Sequence, residues 1–451
     1  MGYIHFIGIG GISMSGIAEL MLSKGCRVSG SDAHPSGITE RLEELGAKIG
    51  YPQKADNIPD DTELVVMTAA IHEDNPELME ARRRGLKIET RADYLGSIMK
   101  GYDTPISVAG THGKTTTTAM ISEILMSAGA DPTVSIGGVL RDIGGNFRIG
   151  ADRFFVMEAC EYTNSYHSFY PRIGVILNVE ADHLDFFKDI DDIRSSFNRF
   201  AHNIPDDGVL VINADIEGYD EVVKDLRCRI VTFGKSEGAD WHPVSVSYDA
   251  FGRPAFEAEH DGKREQFSLG VYGSHNVINS LAAMAIAHEL GIGYDAVKKG
   301  LADFTGTDRR FEIKGELNGF TIIDDYAHHP TEIRATLETA KKYPHRDLWV
   351  IFQSHTYTRT KALMGDFAEA LSHADHVICA EIYAARETDT LGISGATLAE
   401  EIRKKGIDCY YFPTFEEIKK FVRETLIDND LLITMGAGDV VKIGDELLSE
   451  G

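Results

Sequence analysis

The chain has 451 residues, 43% of them hydrophobic and 26% charged, with 71 acidic residues against 45 Lys plus Arg and a formal charge of −26. A chain this long exceeds what one hydrophobic core supports, so about three domains are expected. The acidic balance repels nucleic acid and anionic membrane and excludes both as natural partners; an anionic ligand then needs locally arranged donors.

In chain order, residues 3–9 read as an apolar strand that turns on Gly8, Gly10 and Gly11 and enters a helix over 13–22. A second strand, 27–31, ends at Asp32, another spans 63–68, and the segment closes near Gly101. A second segment opens with a strand at 105–109, a Gly/Thr-rich turn and a helix over 115–128, followed by strands at 154–158, 174–178 and 209–213. Residues 244–271 change to short alternating runs, expected as antiparallel hairpins at one edge, and an apolar helix over 276–290 follows. After a boundary at 306–310, strands at 320–324, 348–353, 377–380 and 431–435 alternate with helices at 330–341, 361–371, 395–405 and 415–425. This alternation predicts an α/β fold with parallel sheets in three domains, 1–101, 102–310 and 311–451.

No run approaches the roughly 20 apolar residues of a membrane span, and the first residues lack the basic region of a leader. Cys26, Cys160, Cys228, Cys379 and Cys409 lie far apart without a C-x-x-C pair, as reduced structural thiols do. A cytoplasmic protein is expected, with monomer and homodimer both open.

The run Gly110-Thr111-His112-Gly113-Lys114-Thr115-Thr116 lies between a strand and a helix. Its glycines let successive N–H groups and the helix N-terminus face a phosphate. Lys114 adds positive charge near the β/γ-phosphates and the Thr115 hydroxyl suits Mg²⁺. Glu158 and His183 follow later strands, where side chains point into the crevice above a parallel sheet. Asn276 and Asn279 share a helical face and suit either a nucleobase edge or, for Asn276, an N-cap. Arg310 is read as either a hinge ion pair or a phosphate-directed guanidinium.

The loop Gly-Thr-His-Gly-Lys-Thr-Thr-Thr-Thr resembles the ATP loop of the Mur ligases, which form amide bonds in peptidoglycan precursors. The likeness recurs at Glu158, 178–185, 274–279, 309–311, 324–332 and 353–360, so it covers essentially the whole chain. It implies a Rossmann-like UDP-binding domain, a central P-loop ATPase domain with a small antiparallel edge sheet, and a C-terminal Rossmann-like amino-acid-binding domain. It implies ATP and Mg²⁺ at two sites, with Mn²⁺ as the alternative ion; Thr115 would hold one ion, and Glu158 with His183 the other. Asn276, Asn279, Arg310 and Asp325 would contact ATP, and Lys114, Arg310, Asp325 and His328 would act in catalysis. The chemistry implied is activation of a carboxylate as an acyl phosphate, then its capture by an amine.

Gly8-Ile-Gly10-Gly11-Ile-Ser13 departs from a dinucleotide fingerprint, because Ser13 stands where the third glycine belongs. It resembles the UDP loop of the alanine-adding branch of the family, which implies a UDP-sugar site of Gly8, Gly10, Gly11, Ser13, Ser31, Asp32 and His72. Asp32 also suits a helix cap, and His72 a surface position. Later branches usually carry a carbamylated lysine about 14 residues past the His183 position; here that register falls on Phe197, with no lysine between Lys188 and Lys224. UDP-N-acetylmuramate, L-alanine and ATP are therefore the implied substrates. Tyr326, His328 and Arg359 are expected on the amino-acid side. Ser354 and Thr356 depart from the family pattern Gln-Pro-His-Arg-Phe/Tyr-Thr-Arg-Thr, so one guanidinium is missing and glycine or serine could compete with alanine. Rival readings are a ligase adding a tripeptide to the same sugar, an ATP-gated binding protein without chemistry, and an NAD-dependent oxidoreductase.

Overall fold

The computed structural model describes residues 2–183, 186–385, 387–389 and 391–450. Leu184 and Asp185, which end the Asn178 run, lie outside the described residues. The chain divides into two compact units, one of Met1–Ala239 with Ala282–Val297 and one of Asp240–Leu281 with Lys298–Gly451.

The first unit begins with a five-stranded parallel sheet in the order Lys48–Gly50, Arg27–Ser31, Tyr3–Ile7, Thr62–Met67, Lys87–Thr90. Phe6, Ile7, Val28, Val65 and Val66 are buried, as strands covered on both faces require. The order reverses around Tyr3–Ile7, so the glycine turn after it occupies a topological switch point, where open α/β sheets bind ligands. Beneath that turn lies a buried polar knot. Glu77, in the helix Pro76–Arg83 capped by Asn75, accepts from His5 (3.2 Å) and Ser31 (2.5 Å) on one oxygen, and from Lys54 N (3.0 Å) and Asn57 (2.7 Å) on the other. A carboxylate only accepts, so His5 Nε2 carries the proton and Nδ1 takes the Ser29 hydroxyl at 3.0 Å.

A seven-stranded sheet follows in the order Arg229–Phe233, Val209–Asn213, Ile173–Ile176, Thr104–Ala109, Phe154–Ala159, Thr133–Leu140, Gly145–Arg148. Its pairs are parallel except the last, so an antiparallel edge is present. That edge is built by residues 133–148. The order again reverses around Thr104–Ala109, the strand that leads into the phosphate loop. The helix Lys114–Ser127 is buried over Thr117–Leu125, so the packing around it fixes its first turn.

In the second unit, His242–Tyr248, Pro254–His260 and Lys263–Ser268 make a small antiparallel sheet of their own, where antiparallel hairpins are expected. Six strands form the other sheet, in the order Glu312–Leu317, Phe320–Asp325, Leu431–Met435, Leu348–Phe352, His376–Cys379, Asp408–Tyr411, antiparallel only at its first pair. The helix expected over 361–371 is two helices, Tyr357–Ala362 and Met364–Leu371, broken where Leu363 leaves helical geometry at φ −110°. Cys379 and Cys409 lie side by side as buried thiols, Sγ to Sγ 3.8 Å. Among the described residues no helix is long and apolar enough to cross a membrane.

Candidate functional site

The phosphate loop is shaped by two left-handed glycines, Gly110 at φ 145° and Gly113 at φ 81°. Asn178 pins it: its side-chain oxygen accepts from His112 N at 2.7 Å and its amide donates to the His112 carbonyl at 3.1 Å. The Thr111 hydroxyl accepts from Glu180 N at 3.0 Å. Lys114 opens the helix, with Thr115 and Thr116 half-buried behind it. Its ammonium donates to the carbonyls of Gly110 and Thr111 and pairs with Glu161 at 2.9 Å. Burial opposes that charge, but Glu161 outweighs it and leaves the Lys114 pKa above its ordinary value.

A Cβ on Gly110 would lie 2.9 Å from Leu177 Cβ and 3.2 Å from Leu177 N, at a φ that side chains rarely adopt. Gly110→Ala is therefore expected to cost about 1–3 kcal/mol in urea unfolding and to weaken nucleotide binding, measured by titration with a fluorescent ATP analogue.

Glu158 is the last residue but one of the strand Phe154–Ala159 and accepts from Gly137 N at 2.6 Å. His183 adopts φ 52°, a strained backbone for a residue with a Cβ, and packs against Tyr162 with ring centres 4.5 Å apart and planes tilted by 32°. Its Nε2 lies 3.7 Å from Glu161 and 3.8 Å from Asp182. Glu161 thus sits between Lys114 and His183, buried, and joins two residues that the sequence reading treated separately. Its spacing from Glu158, i to i+3 at a strand end, was the available signal.

At the first switch point, Gly8 N and Ile9 N donate to the Ser31 carbonyl, both at 2.9 Å, and Gly10 N donates to Asp32 at 2.8 Å. Asp32 is thereby folded onto the turn; a Cβ on Gly10 would lie 2.8 Å from its carboxylate. Ser13 accepts from Arg91 at 2.7 Å, a half-buried guanidinium absent from the sequence reading. Ser31 is fully buried with its hydroxyl on Glu77 and supports the turn from below. His72 is exposed.

In the second unit, Arg309 and Phe311 both have positive φ, 63° and 49°, and hold Arg310 between them. Phe311 N and Ala327 N each donate to Asp325 at 2.8 Å. Burial pushes Asp325 up to about 6, against the pull of Arg310 and those two donors. Arg310 lies 3.6 Å from Glu332 and over the Tyr326 ring at 5.4 Å. Glu332 also takes His328 N at 3.1 Å and stands 3.2 Å from His328 Nδ1, which is 3.0 Å from the Tyr326 carbonyl. Arg310, Asp325, Tyr326 and His328 therefore form one cluster, joined by Glu332. Asn276 lies inside the helix His275–Glu289, so it is not its cap; its amide reaches the Tyr272 carbonyl at 2.7 Å, and Asn279 donates to its oxygen at 2.9 Å. His275 beside them is pushed down to about 4 by burial and by Arg310. Arg359 projects from Tyr357–Ala362, after His355, whose ring is 6.4 Å from that of His328.

This arrangement can be compared with known proteins. Residues 3–103 match the model of the Mur ligase family catalytic domain, 108–287 the Mur ligase middle domain, and 309–438 the Mur ligase glutamate ligase domain. The chain belongs to the Mur ligase family. Relatives of this Mur ligase include the UDP-N-acetylmuramate–L-alanine ligases of Lachnospira eligens, 56% identical over 99% of this chain and 98% of that one, and of Agathobacter rectalis, 53% identical over the same shares. A crystal structure of UDP-N-acetylmuramate-alanine ligase MurC from Thermotoga maritima superposes with a TM-score of 0.82 at 32% identity, covering 100% of this chain and 99% of that one. A murein peptide ligase from Psychrobacter arcticus gives 0.70 at 26% identity, covering 100% and 98%. The three-domain α/β fold of the family is thus the fold of this chain.

Proposed function

We propose that this Mur ligase joins L-alanine to UDP-N-acetylmuramic acid with hydrolysis of ATP, a step of peptidoglycan precursor synthesis in the cytoplasm. The full-length likeness to alanine-adding ligases, at 56% identity, carries this reading. Phe197 supports it: the position where other branches carry a lysine holds a fully buried ring, edge-on to Tyr166 at 5.5 Å. The same reading divides the chain into functional modules 1–101, 102–310 and 311–451.

The sugar carboxylate attacks the γ-phosphate, giving an acyl phosphate and ADP, and the alanine amine then displaces phosphate. Lys114 and Arg310 neutralise charge on the transferred group, which is where phosphoryl-transfer catalysis mainly lies. The Thr115 hydroxyl and the Glu158 carboxylate are oxygen donors of the kind Mg²⁺ takes and would hold it, with His183, which lies beside the Glu161 and Asp182 carboxylates, as the further ligand. When bound, Mg²⁺ supplies charge compensation for the phosphates. Asn276 and Asn279 are assigned to the nucleotide, and the turn at Gly8, Gly10 and Gly11 to the UDP diphosphate. The amine must lose a proton before it attacks. His328 Nδ1 lies between two acceptors, Glu332 and the Tyr326 carbonyl, so it holds the ring proton and Nε2 is the basic nitrogen. We assign the amine's proton to that atom, and the amino-acid carboxylate to Arg359.

Phosphate release is expected only when UDP-N-acetylmuramate, L-alanine, ATP and Mg²⁺ are all present, with alanine preferred over glycine and serine. Comparable turnover without the UDP-sugar would defeat the reading. Preference for a tripeptide acceptor in the same assay would move the protein to the peptide-adding branch.

A further inference from the structure

The segment that carries Arg359 is poorly held by its own residues. The helix Tyr357–Ala362 is six residues long, too short to be stable alone, and its N-terminal N–H groups need partners. Thr356, which precedes it, makes no side-chain cap and adopts φ 65°, a strained conformation for a β-branched residue. The partner comes from 30 residues downstream. Glu387 accepts from Tyr357 N at 2.7 Å, from Thr358 N at 3.0 Å and from the Thr358 hydroxyl, three donors on one carboxylate. Residues around it strap the same segment: Tyr383 N donates to the Ser354 carbonyl and Thr356 N to the Tyr383 carbonyl, both at 2.9 Å, with the His355 and Tyr383 rings 5.6 Å apart.

We propose that Glu387 is a positioning residue for the amino-acid substrate: by clamping the first turn of Tyr357–Ala362 it sets where Arg359 and His355 stand. This rests on the ligase reading above. The clamp is at the surface, with Thr358 exposed, so it adds little to the core. What it fixes is the direction of a guanidinium, and misplacing a binding group by an ångström is costly. Burial opposes the carboxylate charge, but the Thr358 and Tyr357 donors and His355 outweigh it and hold Glu387 below the ordinary carboxylate range, so it is charged at neutral pH. A negative charge at a helix N-terminus is also favourable in itself.

The test is steady-state kinetics of the full chain with L-alanine, UDP-N-acetylmuramate and ATP varied in turn, on wild type, Glu387→Ala, Glu387→Gln and Thr358→Ala. A charge-assisted hydrogen bond is worth about tenfold. Glu387→Ala should therefore raise KM for alanine about tenfold or more, while KM for ATP and the UDP-sugar stay within about twofold. Glu387→Gln keeps the length and one acceptor oxygen and should fall between it and wild type. Thermal unfolding accompanies each variant. If Glu387→Ala does not fold, Glu387→Gln and Thr358→Ala carry the test, each with a smaller rise confined to alanine. An unchanged alanine KM, or an equal rise in all three KM values, overturns the proposal while leaving the ligase reading intact. Wild type that releases no phosphate with alanine overturns both.

Discussion

Lys114→Ala is expected to lower kcat for phosphate release by about three orders of magnitude while leaving the thermal unfolding profile near that of wild type. The ammonium is held at the start of a buried helix, bonded to two carbonyls of its own loop and paired with Glu161. Its place is therefore fixed before any nucleotide arrives, and no reorganisation is needed when charge develops on the γ-phosphate. Removing it takes away a preorganised charge, and it also leaves the buried Glu161 carboxylate without its partner. The His183 imidazole, 3.7 Å from Glu161, remains beside it. Lys114→Arg should rescue little, because a planar fork cannot replace a point charge seated between the Gly110 and Thr111 carbonyls. Single-turnover phosphate release and binding of a fluorescent ATP analogue separate lost chemistry from lost affinity. A Lys114→Ala protein within about tenfold of wild type would remove the loop from the mechanism.

The strands and the two glycine-bounded turns were legible in the sequence because apolar runs ending in glycine have few other structures open to them. The switch points follow from the same pattern, since each ligand loop leaves the first strand of its sheet. Residues 244–271 form the antiparallel hairpins that their alternation implies; alternation gives the pairing within a hairpin and says nothing of what packs beside it. The break at Leu363 was hidden because the apolar spacing of 361–371 continues through it.

Lys114 stands out in the sequence by its place in a glycine turn, whereas Asp325 is marked as a site candidate by the family resemblance alone. The site was not legible where a side chain acts on another across long sequence separations. Glu161 lies 47 residues from Lys114, Arg91 lies 78 from Ser13, and Glu387 lies 29 from Thr358. Nothing local marks such pairs, because a carboxylate on a polar surface looks the same in sequence as one clamping a helix. The Ser31 hydroxyl shows the same limit, because its partner Glu77 lies 46 residues away.

That knot supports the second large effect. Glu77→Ala is expected to destabilise the protein by about 3–5 kcal/mol in urea at neutral pH, as removal of one member of a buried charged network does. Four donors lose their acceptor together: His5, Ser31, Asn57 and the Lys54 amide. The effect has a pH signature. Burial alone would raise the Glu77 pKa, but the bonds from His5, Ser31 and Asn57 outweigh it and leave it below the ordinary 4.5. In the window between that lowered folded value and 4.5 the unfolded chain binds more protons, so stability rises with pH there. The contribution of Glu77 is therefore present in full above the unfolded value and is lost as pH falls through the folded one. Wild type and Glu77→Ala should accordingly converge in acid and separate toward neutrality; a constant gap would mean that packing, and not the ionised carboxylate, supplies the stability. Because Ser31 links this knot to the turn at Gly8 and Ile9, the variant should also raise KM for UDP-N-acetylmuramate while sparing KM for alanine, the reverse of the pattern expected at Glu387.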